Sequence, residues 1–193
     1  ATAEVGLGAF DTQRYTLEAN TGLLDDRYVA FGRFSRLLSD GYRNWSWTEF
    51  WRFFGGVARY GERHTFMLQA YGGPQKDGLA YIGIPKEANE EAIPDGFGGT
   101  IDRTFNYSAF TEDVESFHQP HIELLHDWQV TPGVTFHQAL FGIKGEGYFD
   151  FDGTFRSADY LRLPEGWRDL SAEERRLPLF VTAPGEPVLF RAY

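Results

Sequence analysis

Two alternating runs of residues flank one short turn in the stretch 117–144, FHQPHIELLHDWQVTPGVTFHQALFGIK. In the first run, Ile122, Leu124, His126, Trp128 and Val130 alternate with His121, Glu123, Leu125, Asp127 and Gln129. A period of two is typical of a β-strand with one apolar and one polar face. The turn Thr131-Pro132-Gly133 then sends the chain back. The stretch therefore predicts an antiparallel hairpin of strands 117–130 and 134–144.

The same period recurs along the chain and predicts five further strands. They are 4–9, 14–21, 27–37, 50–60 and 63–72. Most are longer than the roughly five or six residues usual in soluble domains. Helix signals are scarce, and the best of them is a capping-box pattern at 170–176 that suffices for one or two turns. The sequence therefore predicts a single all-β domain, 1–193, of antiparallel strands.

Composition excludes several classes of protein. The chain has 193 residues, and its 28 Asp and Glu against 18 Lys and Arg give a net charge of −10. This charge argues against nucleic-acid binding, which needs a basic surface. The absence of cysteine excludes a disulfide framework, a thiolate metal site and a cysteine nucleophile. No run approaches the roughly 18 apolar residues of a membrane-spanning helix.

Three features favour a transmembrane β-barrel over a soluble β-sandwich, which is the alternative. The predicted strands are long, and aromatic residues stand near their ends. Short turns alternate with long connections, of which 73–116 and 145–193 are the longest. Compact soluble domains rarely carry loops of more than about 12–15 residues without structure of their own. Residues 87–115 contain eight acidic side chains against Arg103 alone, so most of the net charge belongs to one predicted extracellular loop.

Three stretches in this order resemble the barrel of TonB-dependent outer-membrane receptors. They are RYVAFGRFSRLLSDGYR at 27–43, FMLQAYGGPQKDGLAYIGIP at 66–85 and HQPHIELLHDWQVTPGVTFHQALFGIKGEGY at 118–148. The resemblance implies a partial barrel domain, a fragment with about seven strands of a probable 22 and without the plug domain. The family's energy-coupling motif is not present in this sequence either.

The resemblance also implies a function. It is that of an outer-membrane receptor and transporter for TonB-energised uptake of a scarce nutrient, of the ferric siderophore, cobalamin or oligosaccharide class. The implied partners are outer-membrane lipid, the small nutrient ligand, the rest of the receptor with its plug, and the inner-membrane TonB complex. No enzyme, no cofactor and no nucleic acid are expected. The alternative is a soluble or surface-exposed β-rich module that binds carbohydrate.

The candidate ligand-binding residues are aromatic. Exposed Trp and Tyr rings offer large contact areas and stack on flat or sugar-like ligands. The candidates are Tyr42, Trp45, Trp47, Trp51 and Tyr81, and the alternative for them is packing of one loop against another. No catalytic residue and no metal site are predicted, because strand alternation places His121 on the face opposite to His118 and His126. The same alternation predicts Leu124 and Phe136 on the lipid face, and Glu123 and His137 on the lumen face.

Overall fold

The structure, a computed structural model, describes residues 1–110, 112–152 and 189–192. The strands are β1 Thr2–Gly8, β2 Thr12–Asn20, β3 Tyr28–Ser39, β4 Thr48–Tyr60, β5 His64–Gly72, β6 Gln75–Gly78, β7 Ile93–Pro94, β8 Thr100–Ile101, β9 Val114–His118, β10 His121–Thr131, β11 Val134–Ile143, β12 Glu146–Asp152 and β13 Leu189–Ala192. Two 3₁₀ helices cover Lys86–Asn89 and Tyr107–Ala109. The predicted helical turn at 170–176 lies outside the described residues. Within the described part, no helix is long and apolar enough to cross a membrane.

The predicted strands correspond to β1–β5, β10 and β11, with ends shifted by a few residues. One predicted strand, 117–130, is interrupted at Gln119-Pro120 and forms β9 and β10 instead. Proline lacks the N–H that a strand ladder needs, which accounts for the interruption. The stretch 73–116, predicted as a loop, contains β6–β8, most of β9 and both 3₁₀ helices. The stretch 145–193, also predicted as a loop, contains β12 and β13.

The first of two compact units comprises residues 1–40, 48–76 and 117–146. Its seven long strands pair in the order β1-β2-β3-β4-β5-β10-β11, and every pair is antiparallel. Among the described strands, β1 and β11 each have one neighbour, so the sheet does not close into a barrel. The prediction of an all-β antiparallel fold is thus confirmed. The second unit includes residues 41–47, 77–110 and 112–116, and contains the two-stranded β7–β8 pair.

One face of this sheet is apolar and is left uncovered. A row of aliphatic side chains crosses four strands, from Val57 through Leu68 and Leu124 to Leu140. Their exposed fractions are 52, 45, 41 and 72%. By contrast, the buried apolar side chains of the described residues are Ala58, Leu79, Ala88 and Ile101. Among the described residues, this row of aliphatic side chains is thus left largely exposed.

The opposite face carries acidic side chains that are hydrogen-bonded across the strands. The Glu123 carboxylate accepts hydrogen bonds from Gln69 Nε2 at 2.7 Å and from the Tyr71 hydroxyl at 2.8 Å. On the hairpin of β10 and β11, His137 Nδ1 lies 2.6 Å from an Asp127 oxygen. The separation of Leu124 from Glu123 onto two faces is as predicted.

Candidate functional site

Four of the predicted aromatic residues belong to the second unit. Trp45 packs edge-on against Trp47 with ring centroids 5.9 Å apart, and its Nε1 donates a 2.7 Å hydrogen bond to the Asp113 carbonyl. Tyr42 is 46% exposed and Tyr81 is 70% exposed. The tryptophan pair therefore packs within the loop region, as the alternative interpretation has it, while the two tyrosines present their rings to the outside.

The fifth candidate, Trp51, lies in β4 on the apolar face of the sheet. The Arg36 guanidinium stands 4.5 Å over its ring, and the Phe34 ring is 5.4 Å away. Arg36 is also paired with Glu49 at 2.6 Å. Trp51 thus belongs to the first unit, whereas the other four candidates belong to the second.

Buried polar groups hold the loop segments of the second unit together. Asn106 is 1% exposed, and its amide nitrogen donates 2.8 Å hydrogen bonds to the carbonyls of Asn44 and Leu79. Arg43 donates hydrogen bonds to the carbonyls of Ala80 and Phe105. These bonds join stretches that are far apart in sequence, so nothing in the local pattern around Arg43 or Asn106 predicts them.

The first unit contains a candidate site that the sequence did not predict. It lies at a paired break, where two neighbouring strands are interrupted side by side. The chain leaves β5 at Gly72-Gly73 with φ values of 152° and 142°, which L side chains rarely adopt. A Cβ on Gly73 would overlap the carbonyl group of Trp51. Because Tyr71 pairs with His121, the Gly72-Gly73 break lies beside the Gln119-Pro120 break of the next strand. Strand irregularities of this kind are common beside functional sites because they redirect side chains.

A cleft of about 710 Å³ lies at this paired break. Its volume falls within the range of small-molecule sites, about 300–1,000 Å³. Aromatic rings supply much of the lining: Phe53, Phe54, Tyr71, Phe117 and His121. The Tyr71 and His121 rings are stacked with centroids 4.7 Å apart, and Phe54 lies 6.4 Å from Tyr71. Tyr71 therefore lies between the rings of Phe54 and His121, and Gln69, Gln75 and Gln119 add amide groups to the lining.

Of the described residues that line the cleft, Arg52 is the one arginine or lysine, and hydrogen bonds hold its guanidinium in place. Nη1 donates to the carbonyls of Trp51 at 2.9 Å and Gly73 at 3.2 Å, and Nη2 donates to Gln75 Oε1 at 2.8 Å. An arginine has five N–H donors, so two remain without a partner among the described residues. The nearby carboxylate, Glu123, is occupied by Gln69 and Tyr71. The cleft therefore combines a fixed cation with an apolar ring-lined wall.

Histidines elsewhere on the sheet form pairs. On the apolar face, His64 Nδ1 lies 3.0 Å from His126 Nε2, and His126 Nδ1 lies 2.6 Å from the Gln138 amide. Of the residues that the structure describes, no group of three or more His, Asp or Glu is arranged to hold a metal ion.

No protein-family model, curated protein or solved structure matches the chain.

Proposed function

We propose that the seven long strands form part of the wall of a bacterial outer-membrane β-barrel that acts as a receptor for TonB-energised nutrient uptake. The observation that carries the proposal is the uncovered apolar face of the sheet. Soluble monomers rarely leave a large contiguous apolar surface in water. A bilayer offers that face a favourable environment, and the strand backbones stay hydrogen-bonded to their neighbours.

The distribution of side chains on the apolar face supports a membrane position. Aliphatic residues occupy its middle, in the row that includes Leu68 and Leu124. Aromatic rings gather at the strand ends next to the short turns, where Tyr28, Phe66 and Trp128 are 46, 37 and 40% exposed. Outer-membrane barrels carry aromatic girdles at both edges of an apolar band. Aliphatic residues in the middle and rings at the end are the arrangement expected of such a band.

The polar face of the sheet and the long connections between strands fit a receptor better than they fit a barrel with a purely structural role. Polar pairs such as Asp127 and His137, whose side chains lie 2.6 Å apart, would face an aqueous lumen, where hydrogen bonds between side chains are easily hydrated. The stretch between β5 and β10 is built on its own buried polar network around Asn106. The resemblance to TonB-dependent receptors adds the plug and the inner-membrane TonB complex as partners supplied by other parts of the receptor. The nutrient is of the ferric siderophore, cobalamin or oligosaccharide class.

One observation favours the second candidate, a surface-exposed carbohydrate-binding module. The exposed tyrosines of the second unit, Tyr42 and Tyr81, offer rings on which sugars can stack. This candidate accounts for the loop aromatics, but it leaves the apolar sheet face in water.

Fractionation of cells that express the protein from its complete reading frame tests the proposal. We expect the protein in the outer-membrane fraction, resistant to extraction by alkaline carbonate and solubilised only by detergent. Recovery as a stable folded monomer without detergent would overturn the membrane proposal and leave the carbohydrate-binding module. Uptake of labelled nutrients by cells with and without a working TonB system then tests the transport step.

A further inference from the structure

The cleft between the two strand breaks has the chemistry of an anion site with an apolar wall. Arg52 is the single fixed positive charge in its lining, in a chain whose net charge is −10. Three of its N–H groups are bound to Trp51, Gly73 and Gln75, and these bonds set the direction of the other two. A guanidinium with two unused donors recognises a carboxylate by a planar pair of hydrogen bonds.

The rings around Arg52 select the rest of the ligand. Phe54, Tyr71 and His121 lie side by side on the polar face, and Phe117 is 38% exposed in the same cleft. Aromatic side chains bind flat rings through offset or edge-on contacts. We infer that this cleft binds an aromatic carboxylate, with its carboxylate on Arg52 and its ring against Phe54, Tyr71 and Phe117.

The absence of a carboxylate from the lining supports an anionic ligand. Asp and Glu are missing from the residues that line the cleft in the described part of the chain. The nearest acid on β10, Glu123, has each of its two oxygens engaged by a donor from β5. A ligand carboxylate beside Arg52 therefore meets no free negative charge from the lining.

The inference that the receptor's nutrient is an aromatic carboxylate rests on the proposed function. The inference that the cleft binds an aromatic carboxylate rests on the cleft alone. The polar face would line the lumen of the barrel, so a ligand in the cleft would contact the barrel wall.

Titration of the full chain, purified in detergent micelles, with 2-naphthoate and its neutral isostere 2-naphthamide tests the inference. We expect saturable binding of naphthoate and binding of naphthamide that is roughly 10- to 100-fold weaker, because a hydrogen-bonded charge is lost. Arg52→Gln should remove the preference for naphthoate. Phe117→Ala should weaken both ligands by a similar factor, since this exposed ring contributes contact area and no charge.

Arg59→Gln is the matched control, because Arg59 lies on the same strand as Arg52 and on the opposite face. Equal affinity for the two probes, or an unchanged preference in Arg52→Gln, would overturn the inference. If Arg59→Gln also removed the preference for naphthoate, general attraction by surface charge would explain the binding. That result would overturn the inference as well.

The outcomes separate this inference from the proposed function. Membrane insertion without naphthoate binding removes the cleft as a ligand site and leaves the barrel. Arg52-dependent naphthoate binding by a protein that is soluble without detergent removes the barrel and leaves the cleft.

Discussion

A single arginine placed on the apolar face distinguishes a bilayer from water as the surroundings of the sheet. Leu124 lies in the middle of β10, directly between Leu68 of β5 and Leu140 of β11. Its neighbour Leu125 lies on the polar face, between Met67 and Ala139. The substitutions Leu124→Arg and Leu125→Arg therefore place the same charge on adjacent residues of one strand but on opposite sides of the sheet.

A bilayer and water predict opposite rankings of the two substitutions by their cost in free energy of unfolding. In a bilayer, arginine near the midplane of the lipid face costs about 2–4 kcal/mol, and a substitution on the lumen face costs much less. In water, Leu124 is already 41% exposed, so an arginine there keeps its charge hydrated and costs less than about 1 kcal/mol. Leu125 is half-buried, so in water its replacement is the more damaging of the two.

Urea unfolding of the protein from its complete reading frame, reconstituted in lipid vesicles and followed by tryptophan fluorescence, measures both costs. We expect Leu124→Arg to lower the free energy of unfolding by about 1–3 kcal/mol more than Leu125→Arg does, the larger part of the lipid-face penalty. Equal costs, or a larger cost for Leu125→Arg, would show that the apolar face does not meet lipid. Leu124→Met serves as a control, since it keeps the apolar character and the approximate volume.

Three smaller perturbations test the structure around the sites. Asn106→Ala should make residues 77–110 more susceptible to proteolysis, because it leaves buried carbonyls unpaired at a cost of about 1–3 kcal/mol; unchanged digestion would contradict the buried network. Gly73→Ala should lower the urea midpoint and Gly133→Ala should not, since only the first has a φ of 142° and backbone where a Cβ would stand. Burial, with a smaller contribution from Glu115, raises the pKa of Asp77 to about 6. The folded state therefore favours protonated Asp77, and this stabilisation is full below about pH 4 and lost as the pH rises through about 6. Asp77→Asn should match the stability of the wild type at pH 4 and exceed it at pH 8 by about 1 kcal/mol, a value reduced for partial exposure. Hydrogen exchange in this segment measures the stability difference. An equal gain at both pH values would refute the predicted direction of the pH dependence.

The seven long strands could be predicted because the pleat itself imposes a period of two on any sheet whose faces meet different surroundings. The stretch 27–37, for example, became Tyr28–Ser39 with the same alternation. The short strands within 73–116 could not be predicted, because β6 and β7 have two to four residues and no period to detect.

The position of the cleft could not be predicted from the sequence alone either. Gly72-Gly73 and Pro120 are each visible in the sequence as strand breakers. Only the register that pairs Tyr71 with His121 reveals that the two breaks are neighbours across β5 and β10. The predicted tryptophans were conspicuous as residues, yet Trp51 faces the apolar side of the sheet, and Trp45 uses its indole nitrogen on a backbone carbonyl.

The edge of the sheet, like its apolar face, fits the proposed membrane barrel. Among the described strands, β11 forms this edge and has one neighbour. Soluble proteins protect an edge strand with lysine, proline, an inward charge or a covering segment. The edge strand β11, VTFHQALFGI, has no charged residue and no proline, and all ten of its residues are exposed. In water such a strand invites aggregation, whereas in a closed barrel it pairs with a further strand and its edge disappears. In the proposed transmembrane barrel, lipid would cover the apolar face and a further strand would pair with the edge strand β11.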